Sequence, residues 1–194
     1  MTLSLVVLAS GRGSNFQAIL DAITARKCDA EVLALISDKA DAPALEIARK
    51  NKIPSHILDK KNFADALAFD AELLRLIRLH SPDFVVLAGY MRILRSTEIF
   101  SAYKNRILNI HPSLLPKYPG AHAQADAFEA GEKVSGLTIH LVDETLDGGP
   151  ALYAEKVDIS DCKSADEVSA KILGREHVAY PRVIDEIAGG KIRI

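Results

Sequence analysis

Cysteine is nearly absent: Cys28 and Cys162 are the two in 194 residues, far apart and without Cys-x-x-Cys spacing. A disulfide framework or a structural zinc site needs clustered thiols, so neither is expected, and no metal site is assigned. An excess of basic residues is also missing. The 24 Lys and Arg against 26 Asp and Glu leave a formal net charge of -2 and a pI near 6.3. That balance removes the footprint expected of a nucleic-acid binder. No apolar run approaches the ~20 residues that span a bilayer. The apolar start at residues 1–9 lacks a basic flank and runs into glycines, so it reads as a first strand rather than a signal peptide. The expected setting is a reducing cytoplasm, and the expected partners are small molecules, with no nucleic acid and no membrane. A homodimer is compatible with all of this.

What is present fits an ordinary globular chain, with 48% hydrophobic and 26% charged residues. The length suits one domain over residues 1–194. Continuous apolar runs at 3–9, 31–37 and 84–88 predict strands buried on both faces, as in a parallel sheet. Further strands are expected at 53–58, 106–111, 134–142 and 151–157. Helical spacing appears after Ser14, at 43–51, 63–79 (through Leu67, Leu73, Leu74 and Ile77), 96–103 and 121–130. Ser164 with Glu167 is a capping box that opens a last helix, which Pro181 is expected to kink or break after Tyr180. The fold class is therefore α/β with a mostly parallel central sheet.

The first strand ends in Ser10-Gly11-Arg12-Gly13-Ser14-Asn15. Two glycines permit a tight turn, and Ser14 or Asn15 can cap the helix that follows. Strand, glycine turn and helix start make an anion site. The third glycine of a dinucleotide fingerprint is missing, because Phe16 stands there. The strand at 84–88 runs into Gly89-Tyr90-Met91-Arg92-Ile93-Leu94, apolar residues just past a strand end. On residue types alone they pack under a neighbour or line a pocket for a flat ligand.

The chemistry is expected at Asn109-Ile110-His111-Pro112. Asn109 and His111 stand two apart on a strand, so their side chains leave one face. Pro112 has no backbone donor and stops the ladder there. An amide N–H and an imidazole side by side suit the oxyanion of a tetrahedral acyl-transfer intermediate. The acidic loop 143–150 supplies a carboxylate, for which Asp147 between Leu146 and Gly148 is best placed. A carboxylate near a histidine favours the charged imidazolium. The set needs no protein nucleophile, so the attacking atom is expected to belong to a substrate.

Taken together, Asn109-Ile-His111-Pro-Ser-Leu-Leu-Pro116, Leu146-Asp147-Gly148-Gly149-Pro150, Gly11-Arg-Gly13-Ser14-Asn15 and Ala88-Gly89-Tyr90-Met91-Arg92-Ile93-Leu94 resemble the phosphoribosylglycinamide formyltransferases, folate-dependent enzymes of purine synthesis. The resemblance covers essentially the whole chain in order. It implies a three-layer, Rossmann-like formyltransferase fold with helices on both faces of the sheet. It also implies that Asn109, His111 and Asp147 are catalytic in moving a formyl group from 10-formyltetrahydrofolate to the amine of glycinamide ribonucleotide. By the same resemblance Gly13, Ser14, Asn15 and Glu176 bind the ribonucleotide, and Met91, Arg92, Ile93, Leu94, Val142, Asp143 and Leu146 bind the folate. Two positions depart from the family pattern. Ala66 stands where relatives carry a phosphate-binding arginine, which leaves the glycine loop, the helix dipole or Lys60 and Lys61 to hold phosphate. Gln124 stands where relatives carry a histidine. A single-domain formyltetrahydrofolate hydrolase and a non-catalytic nucleotide-binding domain are the competing readings.

Overall fold

A computed structural model of the protein describes residues 2–194. Strands β1 (Leu3–Leu8), β2 (Ala30–Ser37), β3 (Ser55–Ile57), β4 (Phe84–Leu87) and β5 (Ile107–His111) are parallel to one another. With β6 (Val134–Leu141) and β7 (Ala151–Asp158) they form one sheet in the order β3-β2-β1-β4-β5-β6-β7, in which β6 runs against both its neighbours.

The apolar runs form strands because both faces of the sheet are covered. Leu5 and Val7 face a core shared with α1 (Ser14–Thr24), α2 (Pro43–Lys50) and α6 (Ala165–Ala188). Val6 and Leu8 face the opposite core, built with α3 (Ala66–His80) and α4 (Thr97–Ala102). Alternate residues of β1 thus serve two cores, and each fully buried Val or Leu contributes roughly 1.5–3 kcal/mol relative to exposure. The short α5 (Ala123–Glu129) precedes β6, and Gly131 follows it with φ 69. Helix α3 starts later than its apolar spacing suggests. A 3-10 turn at Lys60–Asn62 and an Asp65 cap, accepting from Ala68 N–H at 2.8 Å, come first. Leu67 consequently lies off the buried face and is 62% exposed.

Two expectations about helix ends are corrected. Neither Ser14 nor Asn15 caps α1: its N-cap is Gly13, in the left-handed region at φ 72. A Cβ on Gly13 would also lie 2.8 Å from the Ala44 Cβ, so both conformation and packing against α2 require glycine there. The expected break at Pro181 does not occur, and α6 runs through it to Ala188. Tyr180, Val183 and Ile184 are fully buried on either side of the proline. Their burial, at about 1.5–3 kcal/mol each, outweighs the roughly 3 kcal/mol cost of one interior proline. The capping box forms, with Ser164 Oγ accepting from Glu167 N–H at 3.2 Å while Glu167 reaches back to Lys163 N–H at 2.7 Å.

Helix α6 is also tied to the sheet itself. The Tyr180 hydroxyl lies 3.1 Å from the carbonyl oxygens of both Leu87, the last residue of β4, and Leu108, the second residue of β5. Replacing Tyr180 with Phe leaves both buried carbonyls without that donor. The expected loss is about 1–3 kcal/mol in a denaturant titration, and an unchanged midpoint would show that the hydroxyl does not tie the helix to these two strands.

Candidate active site

The side chains singled out above gather where β1, β4 and β5 end. These three strands are neighbours in the sheet, so the glycine loop after β1 and the Asn109–His111 pair lie two strand spacings, about 10 Å, apart. The segment after β4 leaves from between them. In open α/β sheets ligands bind in this crevice beyond the carboxyl ends of the strands.

At the β5 end, pairing with β6 sets Asn109 opposite His140 and His111 opposite Thr138. Asn109 Nδ2 lies 3.1 Å from His140 Nε2, and His140 Nδ1 lies 3.0 Å from the Leu141 carbonyl. A carbonyl only accepts, so His140 carries its proton on Nδ1 and Nε2 accepts from the Asn109 amide. Burial lowers the His140 pKa, which favours this neutral tautomer. The amide of Asn109 is thereby oriented, with its second N–H free to donate elsewhere.

His111 is 4% exposed. Its Nε2–H donates to the Tyr118 carbonyl at 2.8 Å, which turns Nδ1 toward Asp147, whose Oδ2 is 3.5 Å away. The loop 112–120 makes this possible by curling back on the strand end. Ser113 Oγ donates to the Lys117 carbonyl at 2.6 Å, and Thr138 Oγ accepts from Leu115 N–H at 3.0 Å while donating to the Ser113 carbonyl at 2.7 Å. Ser113 is fully buried and engaged, so its hydroxyl is structural. Asp147 arrives from the loop after β6. It accepts from Gly120 N–H at 2.8 Å, and its Oδ1 lies 3.7 Å from His140 Nε2. Asp147 has φ 50, a left-handed conformation that Asp tolerates better than most residues. A Cβ on Gly149 would overlap the Leu141 carbonyl oxygen, so only glycine lets the loop return against β6.

At the β1 end, α1 begins without any side-chain cap, so its first amides are unclaimed by side chains. Asn15 turns instead toward α6, where its Nδ2 donates to Glu176 Oε2 at 2.7 Å. Asn15 Oδ1 is buried with no partner among the described residues. Glu176 is 5% exposed, and burial raises its carboxyl pKa against the opposing effect of the Asn15 hydrogen bond.

The expected folate segment divides. Met91 and Ile93 are 63% and 57% exposed, whereas Leu94 is buried. Arg92 lays its guanidinium over the Phe69 ring, 4.0 Å from the centroid. Across the crevice, Leu146 and Asp143 are exposed and Val142 packs on the α3-side core. Asp143 folds back to accept from Thr145 N–H at 2.8 Å. Of the departures, Ala66 opens α3 behind its Asp65 cap, and Gln124 lies half-buried in α5. The role of His140 was not legible because strand register decides it, and the Tyr118 carbonyl has no side-chain signature at all.

Residues 3–184 match the formyl transferase family model. The chain belongs to the formyl transferase family. It is 45% identical over 192 residues to phosphoribosylglycinamide formyltransferase of Escherichia coli strain K12, covering 99% of this chain and 90% of that protein. It is 42% identical over 186 residues to the trifunctional purine biosynthetic protein adenosine-3 of Drosophila melanogaster, covering 95% of this chain and 14% of that longer protein. The fold matches the crystal structure of glycinamide ribonucleotide transformylase 1 from Symbiobacterium toebii with a TM-score of 0.95 at 40% identity, over 100% of this chain and 91% of that one.

The raised pKa of Glu176 makes stability depend on pH in a defined direction. A group whose folded pKa lies above its unfolded value stabilises fully below the unfolded value, near 4.5 here, and that contribution is lost as pH rises through the folded value. Glu176→Gln keeps an acceptor for Asn15 and does not titrate. The variant is expected to melt higher than the parent at neutral pH, with the difference shrinking toward pH 4. Parallel melting curves across that range would contradict the raised pKa.

Proposed function

We propose that the protein transfers the formyl group of 10-formyltetrahydrofolate to the amine of glycinamide ribonucleotide, a step of purine biosynthesis, by direct acyl transfer. The names of its full-length relatives support the activity. The observation that carries the mechanism is the juxtaposition of an oriented Asn109 amide, His111 and Asp147 at one strand end.

The substrate amine attacks the formyl carbon, and its lone pair forms the new C–N bond as the carbonyl electrons move onto oxygen. The free N–H of Asn109 and a protonated Nδ1 of His111 are the donors for that oxyanion, and the Asp147 carboxylate stabilises the imidazolium charge. Collapse of the intermediate breaks the bond to the folate nitrogen. The proton lost by the amine is taken up by the departing folate nitrogen, with Asp147 and His111 placed to relay it. The ribonucleotide phosphate sits on the open amides of α1 with Gly13, Ser14 and Asn15, and Glu176 holds the ribose hydroxyls. The folate lies between segment 91–94 and the loop carrying Val142, Asp143 and Leu146, where Met91, Ile93 and Leu146 offer apolar surface.

The test is turnover of 10-formyltetrahydrofolate with and without glycinamide ribonucleotide. Release of tetrahydrofolate that requires the ribonucleotide supports the transferase, equal release without it indicates a hydrolase, and nucleotide binding without turnover indicates a non-catalytic domain. Asn109→Ala and His111→Ala are each expected to lower kcat by roughly 100-fold to 1,000-fold, with much smaller changes in KM, because their bonds form fully only in the transition state. A change confined to KM would contradict these roles.

A further inference from the structure

We propose that Ser10 and Asp70 are positioning residues that set the affinity for formyl-folate by clamping segment 91–94 at its two ends; the proposal rests on reading that segment as the folate site. Residues 91–94 belong to no helix or strand, so no regular hydrogen-bond ladder fixes their backbone. Two buried side chains from other elements do so instead.

At the leading end, Ser10 is 2% exposed and its Oγ accepts from Met91 N–H at 2.8 Å. Its own N–H donates to the Gly89 carbonyl at 3.1 Å, so the exits of β1 and β4 are tied to each other through one residue. At the trailing end, Asp70 projects from α3 into the interior, 2% exposed. A single carboxylate oxygen, Oδ2, accepts from Arg95 N–H at 2.7 Å and Ser96 N–H at 2.9 Å. Such charge-assisted bonds are among the stronger contacts available to a backbone amide. Ser96 is also the N-cap residue of α4, so the chain is held until regular structure resumes.

Between the clamps the side chains sort by direction. Leu94 packs into the α3-side core, and Arg92 rests on Phe69, the neighbour of Asp70 in α3. Met91 and Ile93 face outward. The segment thus presents a fixed backbone edge with two apolar side chains, while its inward residues lock it to α3. A ligand that docks there meets a surface already ordered and does not have to immobilise a loop. Asn109, His111 and Asp147 are held by β5, β6 and loop 112–120, which neither clamp touches. Loosening the Asp70 clamp therefore weakens folate binding and leaves the chemical step and the ribonucleotide site intact, whereas Ser10 adjoins the glycine turn and its loss is felt first at Met91, to which it bonds directly.

Steady-state kinetics on Ser10→Ala and Asp70→Asn test this. The KM for 10-formyltetrahydrofolate is expected to rise about fivefold in each, because Ser10→Ala removes one acceptor and Asp70→Asn leaves a neutral amide oxygen in place of the carboxylate. In Asp70→Asn the kcat and the KM for ribonucleotide stay within about twofold, and in Ser10→Ala the KM for folate rises more than that for ribonucleotide. Wild-type folate KM in the variants, or equal increases in KM for both substrates, would overturn the proposal. If Asp70→Asn fails to fold, Ser10→Ala, which removes one acceptor, decides alone. Ile93→Asp separates the two readings, because it alters the ligand-facing surface directly. An unchanged folate KM in Ile93→Asp would refute the folate site itself, whereas a raised value alongside an unaffected Ser10→Ala would refute the clamp alone.

Discussion

The arrangement depends on the carboxylate of Asp147. One oxygen accepts from Gly120 N–H and faces His111 Nδ1, and the other approaches His140. Three separate pieces of chain, the end of β5, the proline-rich loop after it and the glycine-rich loop after β6, meet at this one group. With its side chain 10% exposed, the carboxylate is largely withdrawn from water, where its interaction with a charged neighbour is less screened than at the surface. Without it, the carboxylate facing Nδ1 of His111 and the hydrogen bond from Gly120 that joins the two loops would both be lost.

The rest of the fold delivers these pieces. Two-sided burial of β1 and β4 keeps the strand ends in register, and the Tyr180 hydroxyl fastens α6 to β4 and β5. The same helix carries Glu176 to Asn15, so one long element reaches both the glycine turn after β1 and the strands β4 and β5. This explains why α6 runs on through Pro181: the side chains that must be buried lie on both sides of it. The antiparallel pairing of β6 shapes the same strand end. It brings His140 beside Asn109, where a neutral imidazole fixes the amide.

Much of this was legible in the sequence, and the boundary is physical. Apolar runs such as those at 3–9 and 84–88 specify strands because a strand covered on both faces has few other solutions. Asn109 and His111 could be paired from their spacing, because side-chain period is local. Asp147 could be suspected from its place in a glycine-rich loop, but its contact with Gly120 could not, because that contact is made to a backbone group. The cap of α1 was misassigned because Ser14 and Asn15 satisfy the usual preference, whereas packing against Ala44 requires Gly13 at the turn and frees Asn15 for Glu176. Helix α6 runs past the break that Pro181 predicts, because the local penalty of the proline is visible in sequence while the tertiary burial around it is not.

In the proposed reaction the protein supplies stabilisation and proton movement while the substrate supplies the nucleophile. Two side chains of the kind that attack acyl groups are not poised to do so. The Ser113 hydroxyl donates into the Lys117 carbonyl, and the Cys28 thiol is buried, with its pKa pushed up to about 12. The most direct measurement is a rapid-quench single turnover with isotopically labelled formyl-folate, in which the protein is precipitated and counted at successive times. Direct transfer predicts that label passes from folate to ribonucleotide with none bound to protein at any time, and that no label is captured when the ribonucleotide is omitted. Label bound covalently to the protein, formed and consumed at the rate of turnover, would contradict the account.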